Sequence, residues 1–174
     1  MNKLKISIAA GWLLLSASVS TSAQSTNYKT YSIFLFSFTK YINWPEESRN
    51  GEFVIAVYGN AKMLTELQAS AAGRKVGNQM LRVVEARALS DLDGAQMVFI
   101  GETKSGNTDE IVKQFQDQPL LIVTERDGLI RKGACVSFVV GEDQSLKFQL
   151  NEMVLMQKRL KAASALVTLA YRGS

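Results

Sequence analysis

One loop of the sequence, residues 101–107, combines glycines, a lysine and hydroxyl side chains as phosphate-binding loops do. It lies between an apolar strand-like segment and a helical pattern, where backbone N–H groups at a helix N-terminus can bind phosphate. A nucleotide-binding loop needs lysine at the position of Asn107, so we interpret this segment as a helix-capping loop. A weaker hypothesis stays open, because open α/β sheets bind small ligands at loops that follow parallel strands. Its candidate residues are Gly59, Asn60, Gly101 and Asn107.

Other side chains that could do chemistry are scarce. Histidine is absent, which removes the commonest general base, the commonest zinc ligand and the familiar nucleophilic triads. The single cysteine, Cys135, adjoins an apolar segment and is predicted to be a buried small side chain, with an intermolecular disulfide as the alternative. Acidic pairs such as Asp109 and Glu110 fit the first turn of a helix. We predict a protein that is not an enzyme, with no catalytic, cofactor or metal site, although carboxylate-based hydrolysis stays open.

The N-terminus has the pattern of a secretory signal peptide. Lys3 and Lys5 precede the apolar residues 8–15, and Ala23 fits the position before a cleavage site. We therefore predict a signal peptide at residues 1–23, a single domain at residues 24–174 and a periplasmic location. A retained membrane anchor is the alternative.

The charge of the predicted mature chain argues against nucleic-acid binding. The whole chain has 20 basic and 16 acidic residues. Removal of Lys3 and Lys5 leaves 18 − 16 = +2 for residues 24–174. Such a mild surplus is not the footprint of a protein that binds nucleic acid.

The elements that must position these residues alternate between strands and helices. Apolar segments at residues 53–58, 81–84, 97–100 and 120–124 have strand length, and residues 136–140 and 146–150 flank a turn as a hairpin does. Asn60 and Asn107 are predicted helix caps, and Asn151 is expected to begin a long helix through residue 172. The spacing along that helix predicts an apolar seam, with Lys158 away from it; the seam residues are Met156, Leu160, Ala163, Val167 and Ala170. We predict an α/β fold with a mostly parallel sheet, an antiparallel C-terminal hairpin, helices on both faces and a long C-terminal helix.

The first predicted helix, residues 28–44, is apolar on nearly all sides and ends before Pro45. One stripe of its apolar side chains is expected to face the core, and a second face could be core or interface. Aromatic side chains are common anchors of interfaces. The interaction candidates are Phe36, Lys40, Tyr41 and Trp44.

The order of several motifs resembles that of the YfiR/HmsC-like family of periplasmic proteins. Residues 38–45 (FTKYINWP) are similar to the opening signature of that family, and residues 53–59 (FVIAVYG) are similar to its first strand. Gly128 and Gly133 before residues 136–138 (VSF), and residues 146–151 (LKFQLN), resemble its later elements. The resemblance covers about residues 28–171.

The resemblance implies a non-enzymatic regulator. In the characterised branch of the family, the regulator resembles a periplasmic brake that acts on an inner-membrane diguanylate cyclase.

 Under that resemblance the regulator would limit cyclic-di-GMP synthesis, and a sensor histidine kinase is the alternative membrane partner. We also predict a homodimer. In one respect this chain departs from the family pattern, because Ala95 stands where a cysteine is often found. Control through an intramolecular disulfide is therefore not available to a chain with one cysteine. The second hypothesis is a periplasmic sensor or carrier domain that binds a small ligand at the loops named above.

Overall fold

The computed structural model describes residues 27–172, which form a seven-stranded sheet covered by helices. The predicted signal peptide at residues 1–23 lies outside the described residues. The strands are β1 Ile42–Asn43, β2 Phe53–Tyr58, β3 Lys75–Val76, β4 Gln79–Ala86, β5 Met97–Ile100, β6 Leu121–Thr124, β7 Val136–Val140, β8 Leu146–Leu150 and β9 Lys161–Ala162. The helices are α1 Tyr28–Tyr41, α2 Ala61–Ala71, α3 Thr108–Gln114, α4 Glu152–Gln157 and α5 Ser164–Leu169.

The strand order in the sheet is β3-β4-β2-β5-β6-β7-β8, and β1 and β9 form a separate pair. Neighbouring strands from β4 to β7 run parallel, whereas β3 and β8 are antiparallel to their neighbours at the two edges. The predicted mostly parallel sheet and its C-terminal hairpin are confirmed. The second antiparallel edge, β3, was not predicted, because two residues are too few for a pattern of alternation.

The chain reverses direction at the centre of this sheet. It passes from β2 through α2 to β4 on one side, and then returns to β5 on the other side of β2. Because parallel crossovers are right-handed, this reversal places α2 and α3 on opposite faces. Strands β5 and β6 are accordingly buried at every residue. The predicted helices on both faces are confirmed.

Helix α1 adds an aromatic layer to the core. Leu35 and Phe38 are fully buried, and the Phe38 ring centroid lies 5.2 Å from that of Phe148 and 6.2 Å from that of Phe138. Ile33, by contrast, is 59% exposed. The predicted apolar stripe is therefore core, while the second face of the helix reaches solvent.

The helix ends at Tyr41, earlier than the predicted end at residue 43 or 44. Ile42 has an extended backbone, with φ −106° and ψ 134°, and Ile42 and Asn43 pair antiparallel with β9. This pairing satisfies backbone groups that would otherwise continue the helix. Its partner strand is distant in sequence, so local pattern could not indicate it.

The predicted long C-terminal helix is divided into α4 and α5, with β9 between them. Asn151 caps α4 as predicted, because its Oδ1 accepts a hydrogen bond from the Val154 N–H at 3.1 Å. The division follows Arg159, whose φ of 59° is left-handed and ends the helix.

This division changes which side chains are buried. Met156, part of the predicted apolar seam, is 69% exposed, whereas Leu160 and Leu166 are buried. Lys158, predicted to lie away from the seam, is 2% exposed, and its Nζ donates a hydrogen bond to the Phe115 carbonyl at 2.6 Å. The predicted seam is therefore confirmed at Leu160 and wrong at Met156, and the prediction that Lys158 lies away from the buried face is also wrong.

Within residues 27–172, every helix is too short or too polar to cross a membrane.

Candidate interaction groove

The segment after α1 is held against the sheet by Trp44. Its ring lies perpendicular to that of Phe53, with the centroids 4.9 Å apart, and its Nε1 donates to the Gln96 carbonyl at 3.1 Å. The Gln96 Oε1 in turn accepts from the Val54 N–H at 2.6 Å. Since these partners precede or begin β2 and β5, Trp44 fixes the segment at the amino ends of the parallel strands.

A groove of about 720 Å³ lies between this segment, the end of α1 and the β3–β4 hairpin. We call it the amino-end groove. Its floor contains the buried side chains of Ile42, Trp44, Phe53 and Leu81. Its rim carries the exposed cations Lys40, Arg49, Arg74 and Lys75.

Three of the four predicted interaction residues line this groove. Phe36 is half-buried beneath the Arg74 guanidinium, which lies 4.7 Å from the ring centroid. Lys40 is exposed on the rim, and Trp44 is 6% exposed on the floor. Tyr41 is half-buried and does not line the groove; its carbonyl accepts a hydrogen bond from the Ala163 N–H at 2.8 Å. Their role in binding a partner stays a prediction.

Backbone carbonyl groups and aromatic rings position three of the rim cations. Arg49 donates from Nε and one terminal nitrogen to the Trp44 carbonyl, at 3.3 and 3.1 Å. Arg74 donates from Nε to the Ser70 carbonyl at 2.6 Å, and the Lys40 Nζ lies 5.2 Å from the Tyr41 ring centroid. These contacts hold positive charge beside the groove without neutralising it.

The predicted ligand loops lie at the opposite, carboxyl ends of the strands and are packed together. The Gly101 N–H donates to the Tyr58 carbonyl at 2.8 Å, and the Thr103 hydroxyl donates to the Gly59 carbonyl at 2.6 Å. A side chain at Gly101 would place its Cβ 2.5 Å from the Gly59 carbonyl oxygen. Main chain therefore fills the space that an open sheet of this type leaves for a ligand.

Asn60 is bound within this packed region. Its Oδ1 accepts from the Met63 N–H at 2.9 Å, as the predicted helix cap requires. Its Nδ2 donates to Glu125 at 2.9 Å and to the Tyr28 hydroxyl at 3.0 Å. Asn107 is separate: its side chain donates to Glu110 at 3.5 Å and makes no cap hydrogen bond to the main chain.

Glu125, which is not among the predicted site residues, joins the loops that follow β2, β5 and β6. Its carboxylate accepts from the Tyr28 hydroxyl at 3.0 Å, from Asn60 at 2.9 Å and from the Glu102 N–H at 2.8 Å. The position of Glu125 directly after β6 could have predicted this contact, because the carboxyl ends of neighbouring parallel strands meet at one edge of the sheet. Because all three of these donors belong to the same chain, the Glu125 carboxylate holds the loops against one another.

The described residues contain no group of three or more acidic or cysteine side chains that could hold a metal ion. Burial raises the pKa of the Cys135 thiol to about 11. Burial likewise raises the pKa of Tyr31 to about 12, and the charge of Glu125 adds to that increase. Neither group is therefore activated as a nucleophile or base near neutral pH.

A family model described as YfiR/HmsC-like matches residues 28–171. The chain belongs to the YfiR/HmsC-like family. No curated protein matches the chain. The matched residues extend from the first residue of α1 to beyond α5, so the whole described sheet is the YfiR/HmsC-like unit.

Residues 38–45, which resemble the opening signature of the YfiR/HmsC-like family, have a defined place in the fold. Phe38 lies in the aromatic core, Ile42 begins β1, and Trp44 ties the segment to β2 and β5. The same signature supplies Lys40 to the rim and Trp44 to the floor of the amino-end groove. These residues therefore both pack the domain and shape the amino-end groove.

Proposed function

We propose that this protein is a periplasmic, non-catalytic regulator that binds an inner-membrane signalling protein and limits its output. Membership of the YfiR/HmsC-like family across residues 28–171 carries the proposal, because that family suggests periplasmic regulation of cyclic-di-GMP signalling. The partner is a diguanylate cyclase, and a sensor histidine kinase is the alternative. A homodimer is the proposed form of the free regulator.

The amino-end groove is the proposed contact surface for that partner. It joins apolar floor residues such as Trp44 to a charged rim, and interface centres combine buried aromatic side chains with polar surroundings. The exposed Ile33 on α1 and Leu169 on α5 offer separate apolar surface for a second copy.

The test uses the full chain, exported in its own host with an affinity tag after residue 174. Membranes are cross-linked, and the captured proteins and the cellular cyclic-di-GMP are measured with and without the gene. We expect capture of a membrane diguanylate cyclase and a higher cyclic-di-GMP level in the deletion strain. Capture of neither cyclase nor sensor kinase, with an unchanged cyclic-di-GMP level, contradicts the proposal. Sedimentation of the purified protein tests the homodimer.

A small-ligand sensor is the second candidate, and the volume of the amino-end groove favours it, since ligand sites commonly enclose 300–1,000 Å³. The ligand would bind there and not at the closed loops around Gly59 and Gly101. A thermal-shift screen of periplasmic metabolites separates the candidates, because a ligand at about 100 times its Kd stabilises the native state by about 2.7 kcal/mol. The absence of any stabilising metabolite counts against the sensor.

A further inference from the structure

The amino-end groove concentrates positive charge. Lys40, Arg49, Arg74 and Lys75 line it, and none of its described lining residues is acidic. The predicted mature chain has a net charge of only 18 − 16 = +2. The charge of this groove is therefore a local feature and not a reflection of a basic protein.

The four rim cations also have no acidic partner among residues 27–172. The ion pairs of the described residues neutralise other cations, which are Arg82, Arg87, Arg126, Lys132, Lys147 and Arg159. An arginine has five N–H donors, and Arg74 uses only Nε in the hydrogen bond to Ser70. The rim therefore keeps donors that a ligand can use.

Three of the rim cations lie at successive points along α1 and the segment after it, and so form a row. Arg74 lies over Phe36, Lys40 follows four residues later along α1, and Arg49 binds the carbonyl of Trp44 beyond the helix. A rise of 1.5 Å per residue separates Phe36 from Lys40 by about 6 Å along the axis. A row of this kind matches an extended chain with several carboxylates better than it matches one compact anion.

We propose that the amino-end groove binds an acidic segment of the partner protein. Carboxylates of that segment contact the row of cations, and an apolar side chain of the segment lies on the floor beside Trp44. This inference rests on the proposed function and deepens it, because it assigns the chemistry of the partner surface. Charge complementarity of this kind sets partner choice and the rate of association.

The test exploits Trp44, which is the only tryptophan in residues 24–174. The predicted mature protein is titrated with a short peptide of glutamate and phenylalanine, and with the same peptide in which glutamine replaces every glutamate. Emission of Trp44 reports binding. We expect the glutamate peptide to bind at least about tenfold more tightly, a difference of about 1.4 kcal/mol that a few exposed ion pairs together supply. Its affinity should fall as salt is added.

Matched variants locate the site. Lys75→Glu reverses a rim charge, and Lys113→Glu makes the same change on α3, where Lys113 is exposed and outside the groove. Lys75→Glu should weaken binding of the glutamate peptide severalfold. Lys113→Glu should leave the affinity within about twofold of wild type, because Lys113 does not line the groove and salt screens charges that are not in contact. Urea midpoints of both variants confirm folding.

Three results of the peptide titrations overturn the inference: neither peptide binds, both peptides bind equally, or free succinate binds as tightly as the glutamate peptide. The last result identifies a small-anion site. The proposed function fails separately, through the membrane capture and cyclic-di-GMP measurements. If the captured signalling protein binds Lys75→Glu as well as wild type, the regulator stands and the acidic-segment inference falls.

Discussion

Lys158 is a cation in an interior position. It is 2% exposed, and burial lowers its pKa, against the opposing effects of Cys135 and Asp117. Its Nζ hydrogen-bonds to the Phe115 carbonyl at 2.6 Å, and the same carbonyl accepts from the Gln118 N–H at 3.2 Å. Removal of the amine therefore leaves no unpaired carbonyl.

We predict that Lys158→Met is no less stable than wild type at pH 7. Because the pKa of Lys158 is lower in the folded state, the folded protein loses this proton at a lower pH than the unfolded chain does. Between the two pKa values the unfolded chain binds more protons than the folded protein, so the free energy of unfolding rises with pH. Wild type should therefore gain stability relative to Lys158→Met across that alkaline window. Urea unfolding from pH 7 to 10.5 measures the difference, with Cys135→Ala in both proteins to remove thiol titration. If the stability of wild type relative to Lys158→Met stays constant or falls as pH rises, the lowered pKa of Lys158 is contradicted.

Cys135 is fully buried, with a pKa raised to about 11 by burial. We predict that a thiol reagent at pH 8 labels the folded protein far more slowly than the protein in denaturant, because reaction requires the exposed thiolate. Absorbance of the released thiol product measures the rate. Rapid labelling of the native protein, or a disulfide-linked dimer on a non-reducing gel, would show that the thiol is accessible.

At the scale of elements, the contact between the loops after β2 and β5 depends on glycine. Gly59 has a φ of 81°, and its missing side chain leaves room for Lys104. Gly101 leaves room for the Gly59 carbonyl. The two loops approach so closely that neither position accommodates a Cβ without movement of the other loop.

We predict that Gly101→Ala lowers the free energy of unfolding by about 1–3 kcal/mol, the usual cost of forcing extra atoms into a packed region. Gly106→Ala is the control, because a Cβ there meets no atom within 4 Å; its stability should be unchanged or higher by up to about 1 kcal/mol. Urea unfolding of the two variants provides the comparison. Equal stabilities would show that the loops are not tightly packed.

At the scale of the whole molecule, the amino and carboxyl ends of the sheet differ. Loops close the carboxyl end through Glu125 and the paired glycines, while a groove opens at the amino end beside Trp44. The usual ligand position of a doubly wound sheet is thus occupied by the chain itself. The groove that we propose as the partner surface lies at the other end.

We predict that residues 24–174 unfold as one cooperative unit. Trp44 packs on β2 and contacts the residue before β5, so its environment depends on the integrity of the central sheet. Fluorescence of Trp44 and far-UV circular dichroism should give coincident urea transitions. An earlier fluorescence transition would show that the segment after α1 detaches before the sheet unfolds.

The sequence alone determined the bounds of four strands, and it indicated the family. Residues 53–58, 97–100, 136–140 and 146–150 have the bounds of β2, β5, β7 and β8, because compact apolar runs and a hairpin turn are local patterns. The motif order likewise indicated the family that the match over residues 28–171 confirms.

The tertiary structure decided the features that depend on distant residues. Pairing of β1 with β9 ends α1 at Tyr41 and separates α4 from α5, and Lys158 becomes buried beside α3. Packing of the loops after β2 and β5 brings Gly59 and Gly101 into close contact, while Trp44 and the β3–β4 hairpin form a groove that no local pattern shows. Local sequence specifies which segments are apolar and where they turn; contacts between remote segments specify which surfaces stay open.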